Sequence, residues 1–263
     1  MDLDFIRSIG KRLLVEVPPL VWEFYGRSAI GKGAGGDKTY PIDKRAEDIV
    51  IEEIENLNEP ATIVSEEYGW KDIRGGGKRI LLDPIDGSKN ALSGIPLFST
   101  SIAVVDGNTV GDTIMGYVVN LISGDEFWAI RGNGSFLNGS RIKTQQGDDI
   151  LVVAYEAQTP KIDIPRVLPL LCVSRRTRCL GSTALDLCHL AQGALSIFVT
   201  PAASRSFDFA AGWLIVEEAG GIVTDLDGNP LKTIHIGIEK SSPIIASCNE
   251  STHKKALELL TMK

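Results

Sequence analysis

No stretch of the 263-residue chain comes near the roughly 18 uninterrupted apolar residues of a membrane-spanning helix, and the amino-terminal MDLDFIRSIGKRLL carries charge where a secretory signal would be apolar. The sequence is therefore expected to be a soluble, cytoplasmic protein with no membrane partner. An excess of positive charge is missing too. Lys and Arg number 27 against 34 Asp and Glu, a formal net charge of −7, which repels nucleic acid and anionic lipid unless the charge is strongly segregated. No nucleic-acid partner is expected. Cysteine is scarce: Cys172, Cys179, Cys188 and Cys248 form no C-x-x-C pair, which argues against a thiolate zinc site and a disulfide framework and predicts buried thiols. The three histidines, His189, His235 and His253, lie far in sequence from the acidic segments described below and give no support to a histidine-ligated metal.

What is present suffices for a folded core, at 43 % apolar residues. Leu3, Ile6, Ile9, Leu13 and Val17 recur at steps of three and four, predicting a helix from Asp2 to about Val21, at least as far as Pro18-Pro19. The glycine-rich GKGAGGDK at 31–38 separates it from a second helix with Ala46, Ile49, Val50, Ile54 and Leu57 on one face and Asp43 at its amino end. Short apolar runs bounded by turn residues predict strands at 61–65, 79–82, 98–105, 113–119 and 126–130, followed by a hairpin at 131–140 marked by two Asn-Gly turns. Beyond Asp148, strands at 150–155, 194–199, 221–224 and 243–247 alternate with helices at 182–192 and 208–219. The chain thus divides into an α+β half, residues 1–145, and an α/β half, residues 146–263, which pack as one catalytic unit.

Acidic side chains concentrate where strands end: Ser65-Glu66-Glu67, Asp83-Pro84-Ile85-Asp86-Gly87-Ser88, and Asp208 at the start of a helix. Asp83 and Asp86 are three apart and would face opposite ways on a continuing strand, so a turn at Pro84, with the strand stopping at Asp83, is expected to bring them together. Gly87 then permits close backbone approach, and the Gly87 and Ser88 amides at a helix start suit phosphate oxygens. Converging carboxylates repel one another by roughly 4 kcal/mol per close pair unless a cation lies between them, and an all-oxygen donor set suits Mg²⁺ or Mn²⁺. Each feature also has an ordinary structural explanation. Asp208 alone serves as a helix cap, Asp43 as a favourable first-turn charge, and Lys32 and Lys38 as solvated loop charges. The combination carries the case.

With these residues the sequence resembles the inositol monophosphatase superfamily, which includes archaeal fructose-1,6-bisphosphatases and bisphosphate nucleotidases. DPIDGS at 83–88 is similar to its first signature, with Glu66-Glu67 upstream, and FDFAAGWLIVEEAGG at 207–221 to its second; GDKTYPID at 36–43 and GNGSFLNGSRI at 132–142 agree further. The resemblance covers nearly the whole chain. It implies a layered αβαβα sandwich of the sugar phosphatase type, commonly a homodimer, and a Mg²⁺-dependent, often lithium-inhibited phosphomonoesterase. By that resemblance Glu66, Asp83, the Ile85 carbonyl, Asp86 and Asp208 hold two or three Mg²⁺ ions, with Mn²⁺ a substitute. Ser88 stands where most members carry threonine and would pair with Asp43 to activate water beside Glu66, while Glu67 supports from behind.

Strict inositol monophosphatases carry an acidic residue that grips the inositol several positions before the last metal aspartate, where this chain has Thr200-Pro201-Ala202. The DGS variant and Gly-Gly-Asp loop are more similar to archaeal members that hydrolyse both fructose 1,6-bisphosphate and inositol 1-phosphate. Substrate contacts are expected from Asp86, Gly87, Ser88 and the helix-opening Gly181-Ser182-Thr183, with Arg178 and Arg205 steering a second phosphate. A 3′(2′),5′-bisphosphate nucleotidase is the alternative enzyme, and a catalytically silent phosphate-binding protein the alternative outside enzymes. Loop 31–38 is expected to close over the site.

Overall fold

A computed structural model of the chain describes residues 1–22 and 28–261, the Trp22 side chain excepted. The first helix, α1 (Leu3–Glu16), starts where Asp2 accepts the Phe5 amide at 3.0 Å. It ends at Val17 because Pro18 cannot donate into the ladder, and α2 (Pro18–Trp22) restarts with that proline in its first turn. The single helix expected to Val21 is therefore two. Strands β1 (Gly31–Lys32) and β2 (Lys38–Thr39) close the glycine-rich segment as a small hairpin. Helix α3 (Pro41–Asn56) follows, with Pro41 at its first position and the Tyr40 amide donating to Asp43 Oδ2 at 2.9 Å.

An eight-stranded sheet comes next. It contains β3 (Ala61–Ser65), β4 (Gly69–Ile73), β5 (Lys78–Asp86), β6 (Ser99–Val105), β7 (Thr113–Asn120), β8 (Glu126–Ile130), β9 (Gly134–Leu137) and β10 (Ser140–Ile142) in the order β10-β9-β8-β7-β6-β5-β3-β4. Only the β3–β5 pairing is parallel. The short helix α4 (Ser88–Ser93) follows β5 directly. The second half supplies β11 (Val152–Tyr155), β12 (Arg176–Arg178), β13 (Ile197–Arg205), β14 (Ile222–Thr224) and β15 (Lys240–Ser247), ordered β12-β11-β13-β15-β14. Its helices are α5 (Pro160–Val173), α6 (Thr183–Ala191), α7 (Ser206–Glu218) and α8 (Glu250–Thr261).

Alternation along the strands builds the layers. Ile80 and Leu82 of β5, Ile102 and Val104 of β6, and Tyr117 and Val119 of β7 pack under α1 and α3 through Ile6, Ile9, Leu13, Ile49 and Val50. Each fully buried Leu or Ile contributes roughly 1.5–3 kcal/mol. The intervening Leu81, Ala103 and Val118 face the other way, onto α6 and α7, whose opposite surfaces meet Phe198, Ile244 and Ala246 of the five-stranded sheet. That sheet's far side carries Val153, Ile197 and Ile245 against Val167 and Leu170 of α5 and Ala256 of α8. The result is the expected αβαβα layering. Lying between two sheets, α7 is apolar all round from Phe209 to Val216. It packs so closely that a Cβ on Gly116 would lie 2.6 Å from the Ala211 carbonyl oxygen. Helix α5, with Pro165 and Pro169 inside it, carries no legible helical pattern in the sequence. Cys188 and Cys248 are buried as expected, but Cys172 and Cys179 are exposed, correcting that reading. Among the described residues no helix is long and apolar enough to cross a membrane.

Candidate active site

The acidic segments meet at one end of the eight-stranded sheet. Strand β5 does not stop at Asp83 as expected; it runs on to Asp86, and the three steps from Asp83 to Asp86 face only two on β6, from Ser101 to Ser99. The extra residue is a bulge, which reverses the alternation once and lets two aspartates at odd separation share a side. Pro84 fits there because it needs no ladder donor, and its carbonyl accepts Thr100 Oγ1 at 2.7 Å. Gly87 follows with φ of +95° as the cap of α4, and a Cβ there would lie 3.0 Å from the Gly181 carbonyl oxygen, which explains the glycine.

Asp43, on the first turn of α3, meets Ser88 on the first turn of α4. Ser88 Oγ lies 3.0 Å from Asp43 Oδ1 and 2.8 Å from the Ile85 carbonyl oxygen, so its one proton can serve either acceptor. Glu66 and Glu67 form the turn after β3, held by loop 33–37, where the Ala34 and Gly35 amides donate to the Glu67 and Glu66 carbonyls at 3.0 and 2.9 Å. Glu67 accepts the Thr39 hydroxyl, and burial with the nearby Asp43, Glu47 and Asp37 charges pushes its carboxyl up to about 7. Asp208 sits in the first turn of α7, which begins two residues earlier than expected, and its Oδ2 accepts the Arg205 amide at 2.7 Å.

The two arginines expected to contact substrate differ in exposure. The Arg205 side chain is 9 % exposed and already engaged: Nη2 donates to Asp37 Oδ2 at 2.7 Å and to the Gly35 carbonyl at 2.6 Å, and Nη1 lies 3.9 Å from Glu66 Oε1. Arg178 is exposed on edge strand β12 and donates to the Thr177 carbonyl at 2.8 Å. At α6, Ser182 caps the helix and donates to Asp86, and the Thr183 and Ala184 amides reach Asp86 at 3.2 and 2.8 Å. Gly181, with φ of +82°, donates its amide to Glu156 Oε1 at 2.6 Å.

Burial dominates the electrostatics. It pushes the carboxyls of Asp43 and Asp86 up to about 6 and that of Asp208 up to about 7, and it raises Glu66 and Asp83 well above the ordinary range with help from neighbouring acids. Asp83 is 4 % exposed and its Oδ1 has no hydrogen-bond partner. Such a group calls for a proton or a cation. Among the described residues, no three His, Cys, Asp or Glu groups stand ready to hold an ion as they lie. Asp86 instead binds the start of α6, and Asp208 and Glu66 lean on Arg205. The donor chemistry nevertheless fits a hard divalent cation, because every candidate atom is an oxygen and Asp83 Oδ1 has no other use.

Sequence reasoning passed over three acids beside the site, of which Glu47 and Asp186 are buried and Glu156 half-buried. Glu47, one turn beyond Asp43 on α3, accepts the Ser65 hydroxyl and the Tyr68 amide and so shapes the Glu66 turn. Asp186 lies inside α6, and Glu156 follows the carboxyl end of β11. An acid within the apolar run Leu185 to Cys188 was a usable signal.

A model of the inositol monophosphatase family matches residues 21–261. The chain belongs to the inositol monophosphatase family. It is thereby a phosphoric monoester hydrolase. A fructose-1,6-bisphosphatase/inositol-1-monophosphatase of Methanothermobacter thermautotrophicus is 32 % identical over 274 residues, covering 98 % of each chain. Its counterpart in Archaeoglobus fulgidus is 36 % identical over 235 residues, covering 88 % of this chain and 87 % of that one. A crystal structure of an inositol monophosphatase–fructose 1,6-bisphosphatase superposes with a TM-score of 0.83 at 29 % identity, covering 98 % of this chain and all of the other. In this family member Asp43 and Asp83 are buried, and Glu66, Asp86 and Asp208 are half-buried near them.

Proposed function

We propose that the protein is a Mg²⁺-dependent phosphomonoesterase acting on sugar phosphates, fructose 1,6-bisphosphate and inositol 1-phosphate foremost, by direct attack of water. The observation that carries this reading is the buried carboxylate group around Asp83, whose Oδ1 lacks any protein donor, beside a Ser88–Asp43 pair that can take a proton. Glu66, Asp83, Asp86, Asp208 and the Ile85 carbonyl would hold the metal, which supplies charge neutralisation for the phosphate and leaving oxygen and acidifies water. Ser88 Oγ orients the attacking water, and Asp43, with a pKa near 6, accepts its proton above that pH. The Gly87 and Ser88 amides face the phosphate at the start of α4. Arg205 keeps loop 33–37 seated on the Glu66 turn, and Arg178, an exposed cation, steers a second phosphate.

Phosphate release from fructose 1,6-bisphosphate, inositol 1-phosphate and 3′-phosphoadenosine 5′-phosphate, each with and without Mg²⁺, tests the reading. Metal-dependent release from the first two is expected. Release from the nucleotide alone would replace the substrate class, and silence on all three would leave a phosphate-binding protein.

A further inference from the structure

Resting on the sugar-phosphate reading, the geometry points to Glu156 as the hydroxyl-accepting residue of the substrate pocket, positioned by Asp186. A polyol ester offers donors beside its phosphate and is recognised only if acceptors face them. The segment of β13 approaching Asp208 carries Pro201, Ala202 and Ala203, which offer no side-chain acceptor. Glu156 instead follows the carboxyl end of β11, whose neighbours β12 and β13 run parallel to it, the usual edge for ligands in such sheets. Its Oε1 takes the Gly181 amide at 2.6 Å, and Gly181 in turn presses on Gly87 while the next residue, Ser182, holds Asp86. Glu156 therefore stands one residue from the acidic cluster, fixed by the loop that closes it.

Behind it lies an acid with no structural explanation. Asp186 is 0 % exposed, and neither of its oxygens receives an N–H or O–H from backbone or neutral side chain. The group within reach is the Glu156 carboxyl, and burial together with that neighbour raises the affinity of Asp186 for a proton. Burial likewise lifts Glu156 to about 7, with the Asp86 charge pushing the same way, while the Gly181 amide, Asp186 and Lys89 favour its ionised form. Two carboxyls side by side, one held by the Gly181 amide and the other with no donor, share one proton. With the proton on Asp186, that residue donates to Glu156 and locks its rotamer, so the negative charge is presented by the half-buried partner at the pocket. A leucine or asparagine would fill the site in α6 at lower desolvation cost if packing were the only requirement.

The test compares kcat/KM for inositol 1-phosphate and for p-nitrophenyl phosphate, an ester without polyol hydroxyls, in the parent, Glu156→Gln, Glu156→Ala and Asp186→Asn. The ratio should fall about tenfold in both Glu156 variants, carried by KM for the sugar ester, and less in Asp186→Asn. A ratio unchanged in both Glu156 variants overturns the assignment. So does an equal loss on both substrates carried by kcat, which marks a merely structural role. Calorimetric binding of fructose 6-phosphate against inorganic phosphate reads the same preference without turnover. A parent that hydrolyses nothing would end the phosphatase reading yet still decide Glu156, because loss of the binding preference in its variants supports the assignment and retention refutes it.

Discussion

Removing divalent cations should make the protein less stable as pH rises, the reverse of ordinary acid denaturation. Burial holds Asp43 and Asp86 near 6 and Asp208 and Glu67 near 7, while Glu66 and Asp83 are higher still, against unfolded values near 4. Between those limits the folded state binds more protons than the unfolded one, so the unfolding free energy falls with pH. Stability is complete below about pH 4 and is lost as pH climbs through 6 to 7. For Asp43 alone, which is 2 % exposed, the rise from 3.8 to about 6 corresponds to about 3 kcal/mol. In a chain of this size that is on the order of 5–10 °C in Tm. Mg²⁺ binding at a hundredfold excess over Kd restores about 2.7 kcal/mol, and more protons must leave to admit it at low pH. Thermal melts in EDTA and in MgCl₂ at pH 5, 6, 7 and 8 should therefore diverge steadily. Asp83→Asn, which removes the charge whose Oδ1 lacks a partner, should flatten the EDTA curve and narrow the divergence. An EDTA melting temperature that is flat or rises from pH 5 to 8, or a Mg²⁺ effect independent of pH, would refute the reasoning.

Asp86→Asn should abolish turnover at a modest cost in Tm, because the asparagine oxygen can still accept from Ser182 and the Ala184 amide, which Oδ2 engages, while its NH2 loses only the 3.2 Å bond from the Thr183 amide to Oδ1; near-normal kcat would remove Asp86 from the metal set. Ser88→Ala should lower kcat roughly 10²- to 10⁴-fold with KM little moved, and a large KM effect at constant kcat would reassign Ser88 to binding. Gly116→Val drives side-chain atoms toward the Ala211 carbonyl, since even a Cβ would lie 2.6 Å from it, and should destabilise by about 1–3 kcal/mol. Unchanged denaturant midpoints would show that α7 has room to move.

Most of the layered fold was legible because it is built from patterns of period two and 3.6: Ile80-Leu81-Leu82 splits between two cores, and Ile6, Ile9 and Leu13 make one stripe. The elements passed over lack such patterns. Edge strand β12 is polar and exposed, edge strand β4 buries only its end residues Gly69 and Ile73, and α5 is interrupted by Pro165 and Pro169 and leaves Ile162, Leu168 and Val173 exposed, so neither period is readable. The path of β5 was misjudged for a different reason. Proline signals a place where a ladder donor is lost, but whether the strand ends or bulges there depends on its neighbours, and here a bulge against Ser99–Ser101 takes up Pro84 while the Thr100 hydroxyl satisfies its carbonyl.

The site residues show why local signals under-determine function. Asp208 can be read as a helix cap or as a metal ligand, and the geometry makes the first true without opposing the second, because capping engages Oδ2 with the Arg205 amide. Asp86 likewise holds the first turn of α6, and Asp43 closes the first turn of α3. A helix start rewards a carboxylate for the same electrostatic reason that it suits a phosphate, so structural and chemical uses of these acids occupy the same positions. What distinguishes them is the residue with no local use. Asp83 has an oxygen that nothing in the chain satisfies, and Asp186 has two. Neither lack of a partner is visible until the fold is known, so the acidic segments could be read from sequence, Asp186 showed only as an acid in an apolar run, and Glu156 required the fold.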